Sequence, residues 1–362
     1  MMDSDNREQR PDLSFVVPCH NEKANVAPLT EAVATAFADV CSVELVFVDD
    51  GSSDGTTGAL KAMFERLGDA AACKDDLAAA SAMFLSGRLT LNATSFSRNF
   101  GKESAMYAGL KASRGEAVCF IDADLQQDPL VALEMYRILM ANDELDVVAA
   151  YQDRRNEGRL AGWLKRRFYG IFNATSDEIE LPPDMSDFRV FRRCVADALL
   201  SMPEYHRFTK GLFAWVGFNT YAMPYTVSER ASGESSWSTR ALFKYARTGV
   251  MSFSTWPLKL LRIVGGIIAV LAALYLLYVL IFDYLIFGNT VPGYPTLVCL
   301  ILLFGGLQLL AVGVLGDYLA RSYIEGKRRP IYLARERFEA TPPQRTAADA
   351  DDDRQEDADA AR

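Results

Sequence analysis

The chain has 362 residues, 50% of them hydrophobic, and a formal net charge of -9. Its length exceeds one ordinary domain, and its acidic balance argues against a nucleic-acid-binding surface. Six cysteines without CxxC spacing and only two histidines suggest neither a zinc site nor a disulfide framework, so the folded part is expected in a reducing compartment. Met1 to Pro11 is polar and charged, and no secretory leader is expected there.

In chain order, short β-branched or aromatic-rich runs fall at Leu13–Val17, Val43–Val48, Ala117–Ile121 and Asp146–Ala150. Helical stretches alternate with them near Val26–Ala38, Thr56–Leu67, Lys102–Ala112 and Leu130–Met140. This alternation predicts an α/β layered fold with a mostly parallel sheet, whose ligand site lies at the carboxyl ends of the strands. Polar motifs stand at those ends. Val17-Pro18-Cys19-His20-Asn21-Glu22 closes the run from Leu13, Asp49-Asp50-Gly51-Ser52-Ser53-Asp54-Gly55 the run from Val43, and Asp122-Ala123-Asp124-Leu125-Gln126 the run from Ala117.

Two carboxylates one residue apart, Asp122 and Asp124, repel each other unless a cation lies between them. A hard divalent metal, Mg2+ or Mn2+, bridging them to diphosphate oxygens removes that repulsion, and Gln126 offers a third oxygen. Asp50 can accept the N3–H of a uracil or thymine ring, while Ser53 or Asp54 can cap the next helix. Ser97, Arg98 and Lys102 place cations and hydroxyl around a helix start, a setting suited to phosphate. Arg154, Arg155, Arg159, Lys165, Arg166 and Arg167 form a basic stretch suited to anionic head groups. The segment from about Gly68 to Asn92 either extends a helix or forms a flap.

Further on, Ile263 to Phe282 gives twenty uncharged residues, enough at about 1.5 Å each to cross roughly 30 Å of hydrocarbon. Tyr294 to Gly316 is a second such run, and the connector carries Gly288, Pro292 and Gly293, so a transmembrane hairpin is expected. Lys259 and Arg262 precede it, Arg321, Lys327, Arg328 and Arg329 follow it, and the connector has no lysine or arginine. Both ends are therefore expected in the cytoplasm. Leu242, Tyr245, Ala246, Gly249, Val250 and Phe253 recur at helical spacing with Lys244 and Arg247 between them, consistent with a surface-lying amphipathic helix or with one packed on the folded domain. Seven acidic residues oppose three arginines between Ala340 and Arg362, which predicts a disordered tail.

The segments VVPCHNE, VFVDDGSSDGT, FSRNFGKE, IDADLQQDP, SDFRVF, RFTKGLFAWVGF, ERASGESSWS and LGDYLARSYIEGKRRPIY occur in this order. With them the chain resembles the family 2 glycosyltransferases, and among these the polyprenyl-phosphate enzymes such as dolichol-phosphate mannose synthase and bactoprenol glucosyltransferase. The resemblance runs from about Leu13 to Tyr332. It implies a Rossmann-like GT-A domain followed by a two-helix membrane hairpin, in the inner or plasma membrane with catalysis and both termini cytoplasmic. It also implies inverting transfer of one sugar, best taken as glucose from UDP-glucose, to a polyprenyl (undecaprenyl) phosphate for cell-envelope glycosylation, and a homotetramer. By that resemblance Asp122, Asp124 and Gln126 surround the metal and the donor diphosphate, and Asp122 and Asp124 are the catalytic pair. Pro18, Asn21, Glu22 and Asp50, with Ser97, Arg98 and Lys102, bind the nucleotide sugar. Arg154, Arg166, Asp187, Arg189 and Arg230 meet phosphate or acceptor. Ser236 stands where many relatives carry lysine, which places more weight on Arg230.

The organisation expected is a flexible 1–11, a catalytic domain over 12–240, an amphipathic juxtamembrane helix over 241–260, spans over 261–287 and 294–318, a cytoplasmic segment over 319–338 and the acidic tail over 339–362. A phosphate monoester is already anionic at neutral pH and attacks without a general base. A processive polysaccharide synthase is disfavoured by the lack of a QxxRW segment and by too few helices for a polymer channel. An inactive membrane scaffold or flippase partner is disfavoured by the intact acidic motif.

Overall fold

The computed structural model describes residues 10–152, 170, 173, 179, 185–225, 256–278, 293–340 and 342. Arg154, Arg155, Arg159, Lys165, Arg166, Arg167, Arg230 and Ser236 lie outside them, as do most of the expected amphipathic helix, the connector between the spans and nearly all of the acidic tail. The chain divides into two compact units, one of 1–158, 182–236 and 330–362, the other of 159–181 and 237–329.

The first unit is built on an eight-stranded sheet. Its strands are β1 (Leu13–Cys19), β2 (Val43–Asp49), β3 (Leu89–Phe96), β4 (Ala117–Phe120), β5 (Val147–Gln152), β6 (Met185–Arg192), β7 (Thr220–Tyr225) and β8 (Ala334–Ala340). They lie in the order β7-β5-β6-β4-β1-β2-β3-β8. β4, β1, β2 and β3 run parallel; β6 is antiparallel to β4 and β5, and β8 antiparallel to β3. This is a GT-A-like α/β fold with a mostly parallel sheet.

β1 and β2 are almost wholly buried, which is why both read as continuous apolar runs rather than alternating ones. On one face α1 (Val26–Phe37) buries Val26, Leu29, Val33 and Phe37 at helical spacing, and the Phe37 ring meets Phe15 edge-on at 5.3 Å. On the other, α5 (Lys102–Ala112) approaches so closely that a Cβ on Gly109 would fall 2.3 Å from a Val16 methyl. Glycine there lets the helix that carries Lys102 lie flat on the strands.

α2 (Thr56–Arg66) is followed by two short helices, α3 (Ala70–Cys73) and α4 (Ala78–Leu85). The 68–92 segment is therefore neither a longer helix nor a flap. It is a packed insert: Cys73, Leu77, Ala80, Met83 and Phe84 are buried, and the Glu31 carboxylate accepts the Ala79 and Ala80 N–H groups at the start of α4. Its last residues belong to β3. α6 (Pro129–Ala141) starts with Asp128 accepting the Leu130 N–H and proline in the first turn. α7 (Arg193–Leu200) and α8 (Thr209–Val216) complete this unit's described helices.

In the second unit, α9 (Trp256–Tyr278) covers much of the first expected span and begins within the segment expected to be juxtamembrane. α10 (Tyr294–Gly326) has 33 residues and runs past the expected end at 318. Among the described residues, Leu303–Gly326 is long and apolar enough to cross a membrane, with none of its most apolar window buried.

The 319–338 segment also differs from expectation. It finishes α10 and then enters β8, an edge strand of the first unit's sheet, so that the domain expected over 12–240 does not end at 240 and the tail begins only after Ala340. The sequence ARERFEA hides the strand because only one side of it is covered: Phe338 meets Phe64 at 5.3 Å, and Lys61 pairs with Glu336 at 2.6 Å. Tyr332, just before the strand, stacks on Phe96 at 4.9 Å, and the Leu333 carbonyl accepts the Ser97 N–H at 3.0 Å. Ending the chain after Arg329 uncovers the β3 edge. That truncation is expected to lower Tm in detergent by on the order of 10 °C and to produce aggregates on size exclusion, whereas ending it after Pro342 changes neither.

Candidate active site

Parallel pairing sets the carboxyl ends of β4, β1 and β2 side by side, with Cys19 opposite Asp49 and Val16 opposite Phe120. The loops that leave β1 and β2 are tied together. The Asn21 N–H donates to Ser52 Oγ at 2.8 Å, Ser53 N–H to Asn21 Oδ1 at 2.9 Å, Glu22 N–H to Thr56 Oγ1 at 3.1 Å, and Lys23 N–H to Asp54 Oδ2 at 3.1 Å. Asn21 takes a left-handed φ of 59°, which asparagine tolerates better than most residues. Asp54 also accepts the Thr56 N–H at 3.0 Å, but the N-cap position of α2 is Gly55, which gives no side-chain cap, so neither Ser53 nor Asp54 holds the place expected of it.

Asp50 is 4% exposed, and its two carboxylate oxygens accept the Phe100 N–H at 2.6 Å and the Gly101 N–H at 2.8 Å. It thus fixes the entry to α5, and with two oxygens and about four lone-pair directions it keeps acceptor capacity. Burial raises its pKa against the pull of those amides. Gly51 has a φ of 67°, and a Cβ there would lie 2.5 Å from the Arg98 carbonyl carbon. The glycine of this turn therefore admits the Arg98–Asn99 backbone. Arg98 itself is exposed and stacks on Phe100 at 3.9 Å. Ser97 is exposed too, bonded through its backbone to Leu333.

The acidic motif forms the opposite wall. Asp122 is held from three directions: its N–H donates to Gln127 Oε1 at 2.8 Å, its Oδ2 accepts from Gln127 Nε2 at 3.2 Å, and its Oδ1 pairs with Lys102 Nζ at 2.6 Å. Leu125 adopts a left-handed φ of 59°, a conformation that costs a non-glycine residue about 1 kcal/mol and that marks the turn as constrained. Asp124 Oδ1 accepts the Gln126 N–H at 3.2 Å. The contact shown between Gln126 and this pair runs through the backbone, and it is Gln127, 6% exposed, that grips Asp122 with its side chain. The role of Gln127 rests on its burial and its hydrogen bonds, which only the fold displays.

Glu22 faces the same mouth. Burial raises its pKa, the Asn25 amide at 2.6 Å opposes that, and the charges of Asp124, Asp122 and Asp54 push it up further. Among the described residues no three histidine, cysteine, aspartate or glutamate side chains converge closely enough to hold a metal by themselves. The carboxylates fit a hard cation whose remaining ligands come from phosphate and water, a common arrangement for Mg2+, and the Lys102 ammonium is a cation already resting on one of them.

β6 delivers Asp187 to Lys102 at 3.6 Å. Despite burial, Lys210, Lys102 and Arg189 hold the Asp187 carboxyl below its usual range. Arg189 is 2% exposed, lies 4.0 Å over the Phe213 ring and donates to the Ser186 carbonyl at 2.7 Å. It is thus a buried side chain of the site's floor rather than a displayed phosphate ligand. Pro18, Lys102, Met106, Asp122, Gln127 and Asp187 line one narrow crevice. Glu103, beside Lys102, went unnoticed in the sequence. Its carboxylate accepts the Thr209 N–H at 3.0 Å and the Thr209 hydroxyl, and burial with the nearby Asp187 charge pushes its pKa up to about 7.

Residues 14–200 match the glycosyl transferase family 2 domain. The chain is 36% identical over 323 residues to the prophage bactoprenol glucosyl transferase homolog of Escherichia coli, covering 89% of this chain and 97% of that one. It is 35% identical over 332 residues to the SfII prophage-derived bactoprenol glucosyl transferase of Shigella flexneri, covering 91% and 99%. The chain belongs to glycosyl transferase family 2. It is a glycosyltransferase. Among solved structures, glucosyl-3-phosphoglycerate synthase from Mycobacterium tuberculosis, in complex with Mn2+, UDP and glucosyl-3-phosphoglycerate, is 17% identical with a TM-score of 0.41, over 67% of this chain and 78% of that one.

Two outcomes follow for this glycosyltransferase. Glu103 binds its proton more tightly folded than unfolded, so it lowers stability as pH rises from about 4.5 to about 7, after which the loss is complete. Glu103→Gln is expected to flatten that fall in a Tm-against-pH profile while keeping an acceptor for the Thr209 N–H. Gln127→Ala leaves the Asp122 N–H without its acceptor, and chemical denaturation is expected to show a loss of about 1–3 kcal/mol.

Proposed function

We propose that this glycosyltransferase transfers one hexose, glucose, from UDP-glucose to a polyprenyl phosphate at the cytoplasmic face of the inner or plasma membrane, with inversion and with Mg2+ or Mn2+ on Asp122 and Asp124. The observation that carries this reading is likeness over nearly the whole chain, membrane segment included, to proteins named bactoprenol glucosyl transferases. The carboxylates gathered at the strand ends support it.

In this reading Asn21, Glu22 and Asp50 form the nucleotide side of the crevice, with Pro18 beneath and Arg98 at the rim. A bound cation would supply Lewis-acid stabilisation of the departing diphosphate. Asp122 is oriented for that task by Gln127 and Lys102 before any substrate arrives, which spares reorganisation during reaction. Gln126 offers its amide oxygen as a third ligand. The acceptor phosphate attacks as an anion, so neither aspartate needs to remove a proton. Arg154, Arg166 and Arg230 steer that phosphate, and Asp187 keeps Lys102 and Lys210 beside its path.

The membrane arrangement proposed is a hairpin of two spans to which α9 and α10 belong, with lysine and arginine on the cytoplasmic side of both. The enzyme works as a homotetramer.

Purified full-length protein given labelled UDP-glucose, magnesium or manganese, and undecaprenyl phosphate is expected to yield labelled lipid carrying a single sugar. Asp124→Asn is expected to lose at least about a hundredfold in turnover with an unchanged Tm. Consumption of no nucleotide sugar under any of these conditions overturns the reading.

A further inference from the structure

The Lys102 ammonium stands between two carboxylates, 2.6 Å from Asp122 Oδ1 and 3.6 Å from Asp187 Oδ2. The two berths differ. Asp122 Oδ2 is already engaged by Gln127, whereas Asp187 Oδ1 is buried with no hydrogen-bond partner among the described residues. A buried carboxylate oxygen left unsatisfied is costly, and an ammonium with three donors a short rotation away can relieve it. Lys102 is also well placed to move, because its side chain is 38% exposed and unbranched, while both carboxylates are fixed on strand ends.

We propose that Lys102 is a placeholder cation. It neutralises Asp122 while the crevice is empty, and it crosses to Asp187 when a divalent cation takes Asp122. This rests on the cation site proposed above and adds to it a reason for the Asp187 carboxylate. No proton moves in the exchange: an Asp122 oxygen trades an ammonium for a metal ion, and the ammonium trades one carboxylate for another. The positive charge that leaves Asp122 stays in the same pocket, where it can face a diphosphate. Metal and lysine therefore compete for one oxygen before substrate arrives and are both present after it, so the crevice binds metal weakly alone and more tightly together with nucleotide.

The test is a Mn2+ titration of the full-length protein in detergent, read from the electron paramagnetic resonance signal of free Mn2+, without nucleotide and then with UDP. Removing the competitor with Lys102→Met is expected to tighten nucleotide-free Mn2+ binding about five- to tenfold. Asp187→Asn removes the second berth and is expected to weaken it about threefold in the wild-type background. In a Lys102→Met background the same Asp187→Asn change is expected to do nothing, since no ammonium remains to relocate.

Mn2+ binding in Lys102→Met no tighter than in the wild type overturns the placeholder role. So does an Asp187→Asn loss of equal size in both backgrounds, which is the signature of a diffuse field. Lys102→Gln repeats the comparison if the methionine variant does not fold. If the wild type binds no Mn2+ even with UDP, the cation site itself fails and this inference with it; if it binds but the variants do not diverge, only the inference fails.

Discussion

Negative charge crowded at one mouth is the constraint on which the rest of this structure depends. Parallel pairing of β4, β1 and β2 leaves no choice about where their terminal loops go, and those loops carry Glu22, Asp50, Asp122 and Asp124. Three of them are answered in different ways. Asp50 is given two backbone amides, Asp122 an ammonium and an amide side chain, and Glu22 an asparagine with a raised affinity for protons. The β1 and β2 loops are crosslinked by short polar side chains, which holds Glu22 and Asp50 close to one another. A site built this way is set up to welcome cations and to lose order when its amides or lysine are removed.

Much of this was legible in the sequence because it rests on local pattern. Continuous apolar runs gave β1, β2, β4 and β5, helical spacing gave α1, α2, α5 and α6, and the polar motifs stood where parallel strands must end. What escaped depends on partners distant along the chain. β8 reads ARERFEA, and its strand character comes from pairing with β3. Likewise β3, LTLNATSF, carries no clear strand pattern beside an alanine-rich insert whose second helix is fixed by Glu31, a residue of α1.

The site divides along the same line. The acids announce themselves by type and spacing, but Gln127 and Glu103 matter through burial and hydrogen bonds to Asp122 and Thr209. Arg189 shows the converse: its charge suggested a phosphate ligand, and packing against Phe213 placed it in the floor. Charge type is a property of the residue, whereas direction is a property of the fold.

The late return of the chain to the sheet bears on how the protein is made. β3 is complete at Phe96, yet the strand that covers its edge is not synthesised until after α10, more than two hundred residues later. At roughly 5–20 residues per second that interval is on the order of ten to fifty seconds. During it the Phe96 ring lacks Tyr332 and the Ser97 amide lacks its acceptor. The nascent enzyme thus fixes the loop after β3 only once the apolar helices have left the ribosome, and closure of the sheet becomes a late step that waits for them.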